Sequence, residues 1–333
     1  MFYSLFTISC THYCDKRLKH KFIMDKQREH YVGWQNEKTG KGEMMRQLHR
    51  ISTLFILLLF VVSAQCTETW PQGLSFVGFS ADRWQLYVVQ PSALEPQIVE
   101  TLLEPRTPTY AAQTGKITYI GVDGTLRERL LESGEERILL KPDAQRTFTQ
   151  PAYDAAGKRL FIVALKEGAS VDTDILTLDD EKPVVTQRSA QFEPYFHAPR
   201  TLYYSNVHCT IGCGKIIQEI WRKDLISSEA EQITLLNAIA RQPVISREGR
   251  WLYFSSNKAG NFHIWRMSLE TGRYERLTEG RVTDISPALD RQGNLYFIRH
   301  TPTGTTLMQR RTDGTLQTLP KTLENFRDLE ISQ

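Results

Sequence analysis

The 333-residue sequence lacks a strong excess of charge of either sign, with 41 lysines and arginines against 38 aspartates and glutamates. The first 64 positions are the basic part. Positions 65–333 hold 31 basic and 33 acidic side chains, which leaves this body at about −2. Binding to nucleic acid usually relies on a surplus of lysine and arginine. A nucleic-acid partner is therefore not expected.

Motifs for nucleophilic or phosphate chemistry are also missing. The body contains no G-x-S-x-G nucleophile turn, which serine hydrolases of the α/β type need. It contains neither G-x-x-x-x-G-K-[ST] nor G-x-G-x-x-G, the glycine-rich loops that cradle phosphates. No catalytic residue and no cofactor are predicted on these grounds.

The sequence has no apolar run long enough to cross a bilayer. The longest run, residues 51–64 (ISTLFILLLFVVSA), falls short of the roughly 20 residues that a spanning helix needs. Arg46 and Arg50 precede it, and Val62 and Ala64 supply small side chains at the −3 and −1 positions of a cleavage site. A basic start, an apolar middle and a small-residue exit are typical of a secretory signal peptide.

These features divide the chain into three parts. Residues 1–43 are interpreted as a mis-called start or a long leader, residues 44–64 as the signal peptide, and residues 65–333 as the mature protein. Export without a spanning segment predicts a periplasmic protein. Cys66 leaves a lipid anchor open, although Gln65 stands where a lipoprotein signal has a small residue.

Cysteine is scarce, with five in the chain. Cys209 and Cys213 stand close together in NVHCTIGCGK, and in an oxidising compartment they are predicted to form a local disulfide. So short a loop recovers little chain entropy, so the bond would fix a loop rather than hold the fold. The alternative is a metal site that uses both cysteines with His208, which offers only three ligands.

A repeat runs through the body. Five segments each contain a proline, a short strand, a turn and a second apolar strand, and residues 78–90 read as a sixth copy without the proline. The five are residues 107–121, 150–164, 193–206, 242–256 and 286–300. The prolines Pro108, Pro151, Pro194, Pro243 and Pro287 follow one another at intervals of 43, 43, 49 and 44 residues.

Two further strands follow in each copy, most clearly in residues 263–278, where Thr271-Gly272 forms the turn. Trp221 and Trp265 recur 44 residues apart, so we expect them to pack between units rather than stack on a sugar. Four strands in about 43 residues is the period of a β-propeller blade. The sequence therefore predicts an all-β, six-bladed β-propeller of four-stranded antiparallel blades.

The repeat resembles that of TolB-type (WD-repeat-like) six-bladed propellers. The resemblance rests on P-x-x-[SD]-x-x-G-x-x-L-[YF]-F followed by I-W-x-x-x-L-x-T-G-x-x-x-x-L-T, and it covers residues 74 to about 320. It concerns the propeller domain alone. It implies a non-catalytic role in binding other proteins at the cell envelope of a Gram-negative bacterium, beside the peptidoglycan-associated lipoprotein in the case of TolB.

The first copy is one strand short, while a strand-like tail, NFRDLEIS at residues 325–332, follows the last copy. The tail is predicted to supply the missing outer strand of the first blade. This would join the two ends of the chain and close the ring, leaving no open sheet edge.

The polar residues just before the prolines are the candidate binding site. If the blades superpose, they surround one mouth of the central channel. They are Thr107, Gln150, Glu193, Gln242 and Ser286, with Arg106 and Arg241 beside them. Amides, hydroxyls and a carboxylate suit hydrogen bonding to a peptide or a sugar; alternatively these are solvated turn residues.

A second set stands three residues after the proline position. These side chains are predicted to accept hydrogen bonds from backbone N–H groups two residues on and so to close the turn. The set is Ser80, Asp154, His197, Ser246 and Asp290.

The predicted function is a monomeric, exported scaffold whose partner is an envelope protein or lipoprotein. One alternative is an enzyme that acts on acidic oligosaccharides, since some propellers with this repeat are oligogalacturonate lyases that use histidines and a divalent metal. His197, His208 and His263 are the candidates for that chemistry, and a divalent cation in the channel stays open. A glycan-binding or small-ligand-binding module is the third alternative.

Overall fold

The computed structural model describes residues 70–166, 172–197, 200–209, 214–320 and 323–332. Within these ranges the regular elements are 24 β-strands, which form six four-stranded sheets. Every ladder between named strands is antiparallel. The predicted leader, the signal peptide, Cys66 and the loop with Cys213 lie outside the described residues, so the disulfide stays a prediction.

Five blades are continuous in sequence. Their strands, from the channel outward, are β4 (Pro105–Ala111), β5 (Lys116–Gly121), β6 (Leu126–Leu130) and β7 (Glu136–Leu140); β8 (Arg146–Tyr153), β9 (Leu160–Lys166), β10 (Thr173–Thr177) and β11 (Pro183–Val185); β12 (Gln191–His197), β13 (Thr201–Cys209), β14 (Ile217–Asp224) and β15 (Ala230–Gln232); β16 (Ala240–Ile245), β17 (Trp251–Ser256), β18 (His263–Ser268) and β19 (Tyr274–Arg276); and β20 (Thr283–Leu289), β21 (Leu295–Thr301), β22 (Gly304–Arg310) and β23 (Leu316–Thr318). The predicted all-β propeller is confirmed.

The remaining blade combines both ends of the described chain. Its strand order is β24 (Asn325–Ile331), β1 (Leu74–Ser80), β2 (Arg83–Val88) and β3 (Gln97–Val99). Ring closure by the tail is confirmed, but the predicted outer position is wrong. Residues of β24 line the central cavity with those of the five proline-containing strands, so β24 is the innermost strand.

The error follows from the alignment of the first copy. The repeat pattern matches residues 78–90 to a first strand and a second strand, whereas the structure makes β1 and β2 the second and third strands of their blade. The turn between them, Ala81-Asp82, has positive φ at both residues, as a tight two-residue hairpin requires. A hairpin of this kind looks the same in sequence wherever it falls in a blade.

The glycine that follows P-x-x-[SD] in the repeat pattern lies in the turn between the first and second strands of a blade. In the blade formed by β8 to β11, Gly157 has a φ of +65°, and its N–H donates to the carbonyl oxygen of Asp154 at 2.8 Å. A β-carbon at this glycine would lie 2.8 Å from the Cβ of Ala111 in the preceding blade. Glycine is therefore required both by the backbone conformation and by the close approach of the preceding blade.

The apolar core is divided among the seams between neighbouring blades. Each of six clusters combines buried side chains of two adjacent blades. At one seam Phe161 packs against Phe196 with ring centroids 4.1 Å apart. Trp221 and Trp265 pack against clusters of this kind, which confirms the predicted packing between blades. Each large side chain buried here contributes about 1.5–3 kcal/mol, so the blades stabilise one another.

The described residues hold no helix of the length and apolar character that a membrane crossing demands.

Candidate functional site

A β-bulge interrupts each inner strand at the same place. The pairing register shifts there, and the bulged residue has a left-handed backbone conformation, with φ between 43° and 58°. The six residues are Thr107, Gln150, Glu193, Gln242, Ser286 and Asp328. This conformation costs a residue with a side chain about 1–2 kcal/mol. The same unfavourable conformation recurs at one level of the channel in all six blades. We therefore expect the six residues to share one structural role.

The side chains of these residues form a hydrogen-bond belt around the channel. In five of the seams the side-chain oxygen of one belt residue accepts a hydrogen bond from the backbone N–H of the next. The pairs are Asp328 Oδ2 with Thr107 N at 3.1 Å, Thr107 Oγ1 with Gln150 N at 3.3 Å, Gln150 Oε1 with Glu193 N at 2.8 Å, Glu193 Oε2 with Gln242 N at 2.8 Å, and Gln242 Oε1 with Ser286 N at 2.9 Å. The belt holds the inner strands in register with one another.

The belt surrounds a cavity of about 180 Å³. Beyond the belt its wall is mostly apolar, because a proline follows five of the six belt residues and Leu329 follows the sixth. A smaller cavity of about 30 Å³ shares Tyr195 and Glu330 with it, so the channel narrows there. The wide part has room for several waters, or for one or two side chains of a bound segment.

Three carboxylates line the cavity, and no lysine or arginine is among its described lining residues. Glu193 accepts hydrogen bonds from Gln242 N and from Ser205 Oγ at 2.7 Å. Burial raises the pKa of Asp328, against the opposing effect of its hydrogen bond and of nearby arginines. Burial also raises the pKa of Glu330 to about 8. Burial disfavours the charged form of a carboxyl group, so Asp328 and Glu330 are shifted toward their neutral forms.

The two predicted arginines lie next to the belt but outside the cavity. Arg106 is exposed and stands 3.9 Å from Glu104. Arg241 Nε stands 4.0 Å from Glu193 Oε1. Arg327 occupies the same place before Asp328 and contacts Glu104 at 2.9 Å. These contacts mix both signs of charge around the belt.

The sequence prediction places five of the six belt residues together but misses Asp328, and it misses Glu330 altogether. The sequence carries a signal for Asp328, which follows Ser286 by 42 residues, close to the repeat interval. The pair Arg327-Asp328 also matches the arginine-polar pairs that end in Thr107 and Gln242. Glu330 then follows from Asp328 by the two-residue period of a strand.

Three of the five predicted turn-capping residues accept hydrogen bonds from the backbone of their turns. Asp154, Ser246 and Asp290 each accept hydrogen bonds at 2.8–3.1 Å from backbone N–H groups four or five residues on. Ser80 instead bonds to the side chain of Gln85 at 3.1 Å, because it precedes a two-residue hairpin. His197 stands at the end of β12, and the turn after it lies outside the described residues.

The three candidate histidines are not brought together. His197 contacts the turn at Gly249, His208 is exposed with its Nε2 3.0 Å from Gln232 Oε1, and His263 is buried at the start of β18. No histidine is among the described residues that line the cavity. In the described parts of the chain no cluster of three or more His, Cys, Asp or Glu could hold a metal ion.

The belt makes a testable contribution to stability. Gln242→Ala removes the acceptor of Ser286 N and of Ser255 Oγ and leaves alanine at a φ of 57°. We expect a loss of about 2 kcal/mol in the free energy of unfolding, measured by urea denaturation. Gln242→Gly loses the same hydrogen bonds but relieves the backbone strain, so it should be more stable than the alanine variant by about 1 kcal/mol. An alanine variant as stable as the glycine variant would show that the belt is unstrained.

Comparisons with known proteins agree on the fold. No family model matches the chain. An uncharacterized protein of Agrobacterium fabrum is 30% identical over 69 residues, which cover 21% of this chain and about a quarter (24%) of that protein.

Among solved structures, TolB from Acinetobacter baumannii aligns with a TM-score of 0.64 at 15% identity, over 80% of this chain and 68% of that one. A putative TolB from Agrobacterium tumefaciens aligns with a TM-score of 0.55 at 15% identity, over 77% of this chain and 94% of that one. An oligogalacturonate lyase in complex with manganese aligns with a TM-score of 0.53 at 11% identity, over 74% and 73%. The chain therefore shares the propeller fold of these structures, as the repeat predicted, and this fold is found in proteins of more than one activity.

Proposed function

We propose that the protein is an exported, non-catalytic scaffold that binds another protein by receiving a segment of it in the wide part of the channel. The observation that carries the proposal is the hydrogen-bond belt around a largely apolar cavity. Six strained backbone positions and a chain of hydrogen bonds fix the shape of this cavity before any partner arrives. Such preorganisation lowers the ordering cost of binding.

The cavity chemistry suits a polypeptide segment. Apolar walls accept apolar side chains, while belt groups such as the amide nitrogen of Gln150 and the hydroxyl of Ser286 offer polar contacts. The proposed partner is an envelope protein or lipoprotein, in line with the signal peptide predicted at residues 44–64. The likeness to TolB structures supports this choice through the fold alone.

Site-specific photo-cross-linking tests the proposal. A photoreactive residue at Pro287, on the cavity wall, is expected to trap a protein from envelope extract, whereas one at Ile226, an exposed turn position on an outer blade edge, is not. The trapped protein is then purified and titrated. Ser286→Trp, which fills the cavity, should weaken binding at least about tenfold, and Ile226→Trp should not.

Two results would overturn the scaffold. One is binding that is equally strong with Ser286→Trp, because the cavity would then not be the site. The other is ultraviolet absorbance from unsaturated uronide products when oligogalacturonate and a divalent metal are supplied. This second outcome would favour the lyase alternative, whose fold the chain shares.

A further inference from the structure

The closing strand β24 is attached to the neighbouring inner strand β4 by three alternate side chains. Asp328 Oδ2 accepts from Thr107 N at 3.1 Å, and Glu330 Oε1 accepts from Thr109 Oγ1 at 3.1 Å. Ser332 Oγ accepts from Ala112 N at 3.1 Å. Residues two apart on a strand share a face, so one face of β24 supplies this row of acceptors. We call this row the closing seam.

The closing seam differs from the other five in the residue that lies two positions after the belt. Two residues after the belt position, Glu330 occupies the place that Thr109 fills in the next blade, where Thr109 Oγ1 accepts from Tyr153 N at 3.4 Å. The other blades carry Ala152, Tyr195, Val244 and Ala288 there. At this position, two residues after the belt, a carboxyl group therefore joins β24 to β4, whereas the other blades carry neutral side chains there.

Within the described residues, Glu330 faces no cation. The titratable side chains that line the two cavities with it are Tyr110, Tyr153, Asp154, Glu193, Tyr195 and Asp328. From the other neighbouring strands, Ser75 on β1 pairs with it, and β20 contributes only Ser286, Pro287, Ala288 and Leu289 to the shared wall. The nearby arginines, Arg106 and Arg327, act on Asp328. Every titratable group that lines the cavities with Glu330 is an acid, so a negative charge on Glu330 gains no compensating attraction from them.

We infer that ionisation of Glu330 weakens the attachment of β24 to β4. The closing seam would then make the closure of the propeller ring sensitive to pH. The inference is independent of the proposed function, because it concerns the stability of the ring and not what enters the channel.

The direction of the effect follows from linkage. Burial raises the pKa of Glu330 from an ordinary 4.5 to about 8. For an acid whose pKa is raised by folding, the stabilised form is the protonated one. The closed state is therefore fully favoured below about pH 4.5 and loses this contribution as the pH rises toward 8. The pKa difference sets a ceiling of roughly three and a half orders of magnitude on the change in the opening equilibrium.

The experiment follows hydrogen exchange of β24 and β1 amides between pH 5 and pH 9 in the full chain, corrected for the intrinsic exchange rate. In the unaltered protein the opening equilibrium of these strands is expected to rise at least about tenfold, with little change in β16 and β17. Glu330→Gln keeps an acceptor but cannot ionise, so it should abolish that rise. All other pH-dependent groups are the same in both proteins, so their effects cancel in the comparison.

Glu128→Gln is the matched control. Its carboxylate is buried and has Arg137 2.6 Å away, and it lies outside the closing seam. This variant should keep the pH response of β24. The inference is overturned if Glu330→Gln responds to pH as the unaltered protein does, or if the unaltered protein loosens equally in all blades. The second measurement needs no variant, so the test does not depend on the folding of Glu330→Gln.

Discussion

Deletion of residues 322–333 is expected to leave a chain without a stable native state. Four side chains of the segment are buried in the seam between the last blade and the first: Leu323, Phe326, Leu329 and Ile331. Loss of a buried side chain of this size typically costs about 2–5 kcal/mol. Four such losses are comparable to or larger than the roughly 5–15 kcal/mol that stabilises a typical domain. The deletion also exposes β1 as an unpaired inner edge.

Circular dichroism during heating measures the effect. The full chain should melt cooperatively, and the shortened chain should show no transition of comparable size. A synthetic peptide of residues 322–333, added in excess, should restore part of the transition by adding the missing strand, and a scrambled peptide should not. An unchanged melting curve for the shortened chain would refute closure of the ring by β24.

Arg299→Met is expected to lower the free energy of unfolding by about 3–5 kcal/mol, the cost of breaking a buried ion pair on one side. Asp284 is completely buried, and its two oxygens accept from Arg299 Nε at 2.7 Å and Nη2 at 2.9 Å. Removal of the guanidinium leaves a buried carboxylate without its partner, which is far more costly than the loss of an exposed pair. Urea denaturation at neutral pH measures the change in the free energy of unfolding.

Two variants control for the loss of the arginine itself. Arg266→Met removes an arginine that pairs with the half-exposed Glu275 and stacks over Trp251 at 4.4 Å, so we expect a loss of about 1 kcal/mol. Replacing both members, Asp284→Leu with Arg299→Met, should recover much of the stability because no buried charge remains. The explanation is wrong if Arg299→Met costs no more than Arg266→Met.

The repeat makes the blade architecture readable from sequence. Prolines such as Pro108 and Pro151 recur in phase with the apolar strands, and both features come from local requirements that every blade shares. The same reasoning places the polar residues before those prolines around one level of the channel. It can do so because residues at one phase of a circular repeat are neighbours in space.

The left-handed backbone of the belt is not predictable in this way. A residue before proline is biased toward extended conformations, so Gln150 and Gln242 give no local sign of a positive φ. The belt hydrogen bonds between blades override that preference. The position of β24 within its blade cannot be predicted from the sequence for a related reason. Leu329 replaces the proline, and a strand's place in a sheet is decided by its partner, which lies about 250 residues away in sequence.

The division of the first blade between distant parts of the chain also dictates the order of assembly. During synthesis β1, β2 and β3 emerge early, yet β1 has no inner partner until β24 has been made. The last event is therefore a long-range pairing that locks five finished blades and one unfinished blade into a ring, a contact of high sequence separation that forms slowly. Until then the nascent polypeptide keeps an open sheet edge, and such edges are prone to pair with other chains.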